Sequence, residues 1–236
     1  ADGLRNLAVC LLHSYRYHEH ELQIADLARE IGFKRVSVAH QLSGLQNYLQ
    51  RAQTTVADAY VTPALEHYLQ GFRTALASND HQPTELLLMQ SNGGMVQAAQ
   101  LHGKDSVLSG PAGGVVGMAA AGKRAGLQRL IGFDMGGTST DVSLYDHGHE
   151  LTRTTEIGGS AIQTPMINIH TIAAGGGSML KFADGRLQAG PESAGAYPGP
   201  RAYLNNGPLT ITDANLLTGR LQASAFPVPV RPAAVS

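Results

Sequence analysis

Phe133-Asp134-Met135-Gly136-Gly137-Thr138-Ser139-Thr140-Asp141 is the stretch on which the reading of this chain turns. The apolar run Leu130-Ile131-Gly132-Phe133 delivers an acidic residue to a turn whose two glycines carry no side chain. Thr140 to Tyr145 follows, with Val142 and Leu144 alternating against Ser143, a strand pattern. The spacing predicts a strand, a tight turn over Asp134 to Thr138, and a second strand. In such a turn phosphate oxygens reach backbone N–H groups directly, and the hydroxyls of Thr138, Ser139 and Thr140 add donors. Asp134 carries a charge that repels phosphate, so a divalent cation between them is the sensible arrangement. Mg²⁺ is held in this way, through one or two carboxylates, waters and nucleotide phosphates. No Gly-Lys-Ser/Thr follows, so this is not the Walker pattern. An ordinary hairpin with a Gly-Gly turn is the plainer alternative. It leaves the preceding acid and the following hydroxyls without a purpose.

Upstream, Ser109-Gly110-Pro111-Ala112-Gly113-Gly114 leads into a helix of small residues over Val115 to Arg124, ended by Gly126. Earlier still, Leu7 to Leu12 reads as a buried strand and Val36 to Ala39 as a second. Between them Leu22, Ile24, Ala25, Leu27, Ala28 and Ile31 fall at helical spacing, with Gly32 closing a helix over Glu19 to Glu30. Strand, helix and strand in that order suggest a small α/β unit. Asn47 to Ala77 reads as one long helix with Val56, Tyr60, Leu65, Tyr68, Leu69 and Phe72 on its buried side, and Pro63 as a kink or a break. A loop at 78–83, a strand over Glu85 to Gln90 and a turn at Ser91 to Gly94 follow.

Downstream, strands are expected near Leu151 to Glu156 and Ile167 to Ala173. Residues 190–208 read as a Gly/Pro-rich loop, Asp213 to Leu221 as a short helix with Asp213 as N-cap, and 227–232 as an extended tail. A second glycine loop, Ala174-Gly175-Gly176-Gly177-Ser178, directly follows the strand that carries His170. Three glycines allow either close approach of a substrate or tight packing against the first loop. His170 is the single best candidate for substrate contact, acid/base work or metal binding, because imidazole titrates near neutrality; a hydrogen-bonded structural histidine is the alternative. His13, His18 and His20 do not share one helix face, and no acid pair completes a metal site with them, so they read as a solvated turn. Glu192 and Asp213 are candidates for substrate or metal, with capping the plainer role of Asp213.

The chain of 236 residues, 43% of them hydrophobic, can build one sizeable core or two small ones. Its 17 basic residues balance 18 acidic ones, which leaves no electrostatic footprint for nucleic acid or anionic lipid. No apolar run reaches the about 18 residues a membrane span needs. The single cysteine, Cys10, excludes an internal disulfide framework, fits a reducing cytoplasm and reads as a packed thiol in its apolar run. The opening Ala1-Asp2-Gly3-Leu4-Arg5 lacks a starting Met, so the chain is expected to begin inside a longer product.

The order helix, strand, Asp-x-Gly-Gly-Thr turn, strand resembles the nucleotide domain of the actin, sugar-kinase and heat-shock chaperone ATPase superfamily. Further segments narrow the resemblance: Met89-Gln90-Ser91-Asn92-Gly93-Gly94, Ile169-His170-Thr171 before Gly175-Gly176-Gly177-Ser178, Gly190-Pro191-Glu192-Ser193-Ala194-Gly195-Ala196 with Pro198-Gly199-Pro200, and Thr212-Asp213-Ala214-Asn215. Together with the opening Leu11-Leu12-His13-Ser14-Tyr15-Arg16 and His20-Glu21, they resemble the hydantoinase A/oxoprolinase family, which includes the large subunits of acetone and acetophenone carboxylases. The resemblance runs from Asn6 to Phe226. Asn168 stands where that family often has Asp, so a carboxylate–histidine metal pair with His170 is not supported.

The resemblance implies an α/β fold, a partial actin-like (ribonuclease H-like) ATPase core with mixed sheets and flanking helices. Residues 1–108 would be the end of an N-terminal α/β module with a long connecting helix, 109–226 the second core half with its phosphate loop, and 227–236 an extended tail. It implies ATP-dependent activation and opening of a cyclic amide such as hydantoin, N-methylhydantoin or 5-oxoproline, by phosphorylation of the amide oxygen. By motif position Asp134, Gly136, Gly137, Thr138 and Ser139 would hold Mg²⁺ and phosphate, with Asp134 as the metal ligand. Asp141 would orient the loop or a water, and His170 would serve the chemistry. Gly113, Gly114, Gly175, Gly176 and Gly177 would let the nucleotide approach. A second, hydantoinase B-like subunit or domain would be the partner. A ketone carboxylase subunit and a non-catalytic nucleotide-binding module are the alternatives. The superfamily's first phosphate loop and adenosine-binding glycine pair have no match here, and Gly158-Gly159-Ser160 comes too early to supply the latter. The isolated chain is therefore expected to hydrolyse ATP weakly or not at all.

Overall fold

A computed structural model of the chain describes residues 5–77, 85–226 and 229–231. The loop expected at 78–83 lies outside them, as do 227, 228 and 232 of the expected tail. The fold is mixed α/β, in two compact units: Ala1–Gln128 with Asp146–Asn168, and Arg129–Tyr145 with Ile169–Ser236. Among the described residues no helix is long and apolar enough to cross a membrane.

In the first unit, β1 (Asn6–Val9) pairs in parallel with β2 (Arg35–Val38), and α1 (Glu19–Glu30) connects them. Gly32, at φ +104°, takes the left-handed position that closes α1. The helix turns Ala25 and Ala28 inward, whereas Leu27 and Ile31 are exposed. β1 ends earlier than expected, and Leu12 is exposed. Its partner stops at Val38 and the chain enters α2 (Ala39–Leu42), so the backbone beyond Val9 has no ladder to join. Side chains take over: Glu21 accepts from the N–H of Leu11 (2.7 Å), and Arg51 donates to the carbonyls of Leu11 (2.8 Å) and Leu12 (3.0 Å). Burial pushes the Cys10 thiol up, against the nearby Arg51, as suits a packed thiol.

α3 (Tyr48–Ala77) runs unbroken through Pro63. Its inward face is not the one expected. Of the six apolar residues assigned to it only Leu69 is buried; Val56, Tyr60, Tyr68 and Phe72 are exposed. Arg51, Thr54, Thr55, Asp58 and Thr62 point inward instead. All but Thr55, which bonds the Arg51 carbonyl of its own helix, cap backbone groups that no ladder satisfies. Thr54 accepts from the N–H of Gln163 (2.8 Å), Asp58 from that of Lys104 (3.2 Å), and Thr62 from that of Gly103 (3.1 Å). Each such group left unpaired in the interior would cost about 1–3 kcal/mol.

β3 (Leu87–Met89) and β4 (Met95–Gln97) form a hairpin about the turn at Ser91–Gly94. α4 (Gly103–Ser106) leads to α5 (Ser109–Arg124), which starts six residues before the expected Val115. Pro111 sits in its first turn, where a missing N–H costs nothing. After the second unit's first hairpin the chain returns for β7 (Leu151–Ile157) and β8 (Ser160–Ile167), antiparallel about Gly158-Gly159.

The second unit holds a three-stranded sheet in the order β5 (Arg129–Met135), β6 (Thr140–Asp146), β9 (Ile169–Ile172). A two-stranded sheet of β10 (Ser178–Ala183) and β11 (Arg186–Ser193) follows, then a 3-10 turn at Arg201–Tyr203, α6 (Ile211–Leu217) and a last 3-10 turn at Ala223–Ala225. Strand β11 thus enters the stretch expected to be loop from 190. Helix α6 starts earlier than expected: Thr210 is the N-cap, and Asp213 closes the capping box from the third helical position.

Candidate phosphate site of the second unit

The β5–β6 connection narrows to Gly136–Ser139, where the Gly136 N–H donates to the Ser139 carbonyl (2.9 Å). At the far end of the hairpin the His147 N–H donates to the Gln128 carbonyl (2.9 Å). One antiparallel register satisfies both bonds, and it sets Asp134 opposite Asp141 and Phe133 opposite Val142. Between β6 and β9, Asp141 pairs with Thr171 and Val142 with His170. Side chains alternate faces along a strand. Asp134, Asp141 and Thr171 therefore form one row on one face, tied by a hydrogen bond from the Thr171 hydroxyl to Asp141 (2.7 Å). Phe133, Val142 and His170 form the adjacent row on the other face. The sequence nominated Asp134, Asp141 and His170 together; the sheet joins the two carboxylates and puts the imidazole on the opposite side.

Gly136, Gly137 and Thr138 are exposed at the tip. The N–H groups of Gly137 and Thr138 donate to nothing among the described residues, so both are available to an anion. Ser139 is half-buried beside them. The turn is held from behind by main chain. Gly176 N–H donates to the Gly136 carbonyl (2.9 Å) and Gly177 N–H to the Gly137 carbonyl (2.7 Å), while the Thr140 hydroxyl donates to the Ala174 carbonyl (2.5 Å). A Cβ on Gly175 would lie 2.6 Å from the Gly137 backbone, and one on Gly177 2.9 Å from the Gly137 carbonyl oxygen. Of the two roles open to this loop, tight packing on the first is the one its geometry supplies.

A third layer holds the second loop. Thr212 N–H donates to the Gly176 carbonyl (2.8 Å) and Ala194 N–H to the Gly177 carbonyl (2.8 Å). Asp213 is fully buried. Its carboxylate accepts from the N–H groups of Arg201 (3.1 Å), Ala202 (2.8 Å) and Thr210 (2.8 Å) and from the Thr210 hydroxyl (2.9 Å). Four donors use up its acceptor capacity, so Asp213 builds the scaffold. Glu192 is exposed and bound to Lys181 (2.9 Å), whose ammonium holds its carboxyl below the usual range.

Gly113 and Gly114 lie in α5 of the other unit, with open space where a Cβ would stand on Gly113. His18 bonds the Ser14 carbonyl through Nδ1 (2.8 Å) and stacks on His40 (4.7 Å between centroids). Among the described residues no three His, Cys, Asp or Glu side chains are grouped to hold a metal. The Asp134–Asp141 row is a two-carboxylate site beside free N–H donors, a donor set that suits Mg²⁺ carried with phosphate rather than a metal held by protein alone.

The chain matches the hydantoinase/oxoprolinase family over residues 51–234. It is 46% identical over 230 residues to a 5-oxoprolinase of Saccharomyces cerevisiae, a match covering 96% of this chain and 18% of that protein. Among solved structures it is similar to the ATP-dependent caprolactamase of Pseudomonas jessenii (30% identity, TM-score 0.77, 97% of this chain and 35% of that one). It also shares the fold of an acetone carboxylase in a nucleotide-free structure (23% identity, TM-score 0.80, 98% and 34%). The chain spans about a fifth of the length of the 5-oxoprolinases it matches.

Proposed function

The chain belongs to the hydantoinase/oxoprolinase family, and on that premise we propose that it supplies the second half of the ATP-handling core of an enzyme that opens a small cyclic amide. The observation that carries the reading is the exposed turn at Gly136–Ser139, in which the N–H groups of Gly137 and Thr138 have no acceptor among the described residues, beside two facing carboxylates. Identity to a 5-oxoprolinase of 46%, against 23% to the acetone carboxylase, favours a cyclic amide over a ketone.

In this reading the N–H groups of Gly137 and Thr138 take the transferring phosphoryl oxygens. Asp134 and Asp141 would hold Mg²⁺, which neutralises phosphate charge as it develops. The γ-phosphoryl group passes from ATP to the amide oxygen and ADP leaves. A first water adds to the activated carbon and the ring C–N bond breaks, which leaves an acyl phosphate and a free amine; a second water then hydrolyses the acyl phosphate to carboxylate and phosphate. His170, on the opposite sheet face, is assigned to substrate contact and not to phosphate. Residues 109–226 act as the second core half. A hydantoinase B-like subunit or domain completes the enzyme in the cytoplasm.

The test is ADP release by the full-length protein with hydantoin, N-methylhydantoin or 5-oxoproline, each with wild type and Asp134→Asn. Amide-dependent ADP release that drops at least 100-fold in the variant is expected. Release that is indifferent to all three amides, or unchanged in the variant, would sink the reading.

A further inference from the structure

We propose that Thr212 is a positioning residue for the phosphate turn, acting through Gly176; the proposal rests on the assignment of that turn to phosphate. Thr212 does not face the turn. It stands two layers behind it, at the second position of α6, and is buried.

Two contacts make the link. The Thr212 N–H, one of the first-turn donors a helix cannot use itself, donates to the Gly176 carbonyl, and the Gly176 N–H donates to the Gly136 carbonyl. The same peptide segment is thus gripped on one side by α6 and grips the turn on the other. Secondly, the Thr212 hydroxyl fills the space where Gly176 lacks a side chain: a Cβ there would lie 2.6 Å from Thr212 Oγ1. Thr212 has no freedom to drift, because its neighbours Thr210 and Asp213 lock the start of α6 through the capping box and the 3-10 turn at Arg201–Tyr203. The position of Gly137 and Thr138 is therefore set by α6 and transmitted by main chain.

Gly176 differs from its neighbours in a way that makes the link testable. Its φ lies outside the left-handed region, and apart from Thr212 Oγ1 a Cβ would meet only the Gly136 carbonyl oxygen, at 3.8 Å. A Cβ at Gly175 or Gly177 collides with the backbone of Gly137 itself, which no side-chain change relieves. Gly176→Ala should displace the second loop, and Thr212→Ala should give the room back while keeping the Thr212 N–H bond.

The experiment compares Gly176→Ala, Thr212→Ala and the double variant in the full-length protein. It reads KM for ATP, kcat, and deuterium exchange of the peptide containing Gly136 to Thr140. Gly176→Ala is expected to raise KM about tenfold, more than it lowers kcat, and to speed exchange in that peptide. The double variant is expected to return both to within about threefold of wild type. A double variant as impaired as Gly176→Ala, or a Gly176→Ala enzyme with unaltered KM and exchange, overturns the proposal. If wild type shows no ATP dependence at all, the phosphate reading fails instead, and the exchange measurement still decides whether Thr212 places the turn.

Discussion

Asp134 and Asp141 face each other across the β5–β6 hairpin, with the Thr171 hydroxyl bonded to Asp141 from the third strand. Like charges directly opposed in a sheet cost about 0.2–1 kcal/mol. In the proposed reading, a cation that arrives with phosphate relieves this repulsion beside the free N–H groups of Gly137 and Thr138.

Asp134→Asn should therefore stabilise the metal-free protein slightly, by at most about 1 kcal/mol, and remove its response to Mg²⁺. Thermal unfolding with EDTA, with millimolar Mg²⁺, and with Mg²⁺ plus ADP checks both. Wild type should gain stability in the last condition and the variant should not. An equal gain in the variant would place the cation elsewhere.

Asp213 has the opposite character, because its charge is fully used by the protein. Asp213→Ala leaves the N–H groups of Arg201, Ala202 and Thr210 without their acceptor. At about 1–3 kcal/mol per orphaned group, a loss of 3 kcal/mol or more is expected in urea unfolding, with ATP affinity falling as well. A change below about 1 kcal/mol would mean that water or a shifted side chain replaces it.

Glu21, in the first unit, gives a pH dependence of its own. Burial pushes its carboxyl up, but donors from Ser14, the Leu11 N–H and His40 outweigh this and hold it below the usual range. A lowered folded-state value means that its contribution is complete above the unfolded value of about 4.3 and disappears as pH falls through the folded one. Urea unfolding from pH 7 down to pH 3 should show wild type losing stability below that point. Glu21→Gln should be weaker at neutral pH and flatter across the acid range; parallel curves would refute the assignment.

The elements around the turn could be read from the sequence because local chemistry fixes them. The helix Glu19–Glu30 has its closing glycine, and β5 and β6 have their alternation and Gly-Gly connection. Two hairpins carry equally local signals, Gly158-Gly159 and Asp184-Gly185, all four residues at positive φ. The inward face of α3 was beyond such reading. Hydrophobic periodicity locates apolar side chains, whereas Arg51 and Asp58 are buried because distant loops present unpaired backbone to them. The split of His170 from Asp134 and Asp141 was hidden for the same reason. Strand register decides it, and register is set by a pairing between segments separated by the whole β7–β8 excursion.

That excursion bears on how the three-stranded sheet of the second unit is assembled. Strand β6 must find β9 across Asp146–Asn168, a closure whose entropy grows with the free length between the ends. But β7 and β8 pair with each other from Leu151 to Ile167, and Asn168 N–H bonds the Glu150 carbonyl (2.8 Å). Once that hairpin zips from its own two-glycine turn, the flexible distance shrinks to a few residues. About two halvings of length, at about 0.6 kcal/mol each, are then removed from the search. The hairpin that interrupts the three-stranded sheet in sequence is thus a folding clasp, drawing together the two strands whose meeting puts Thr171 beside Asp141.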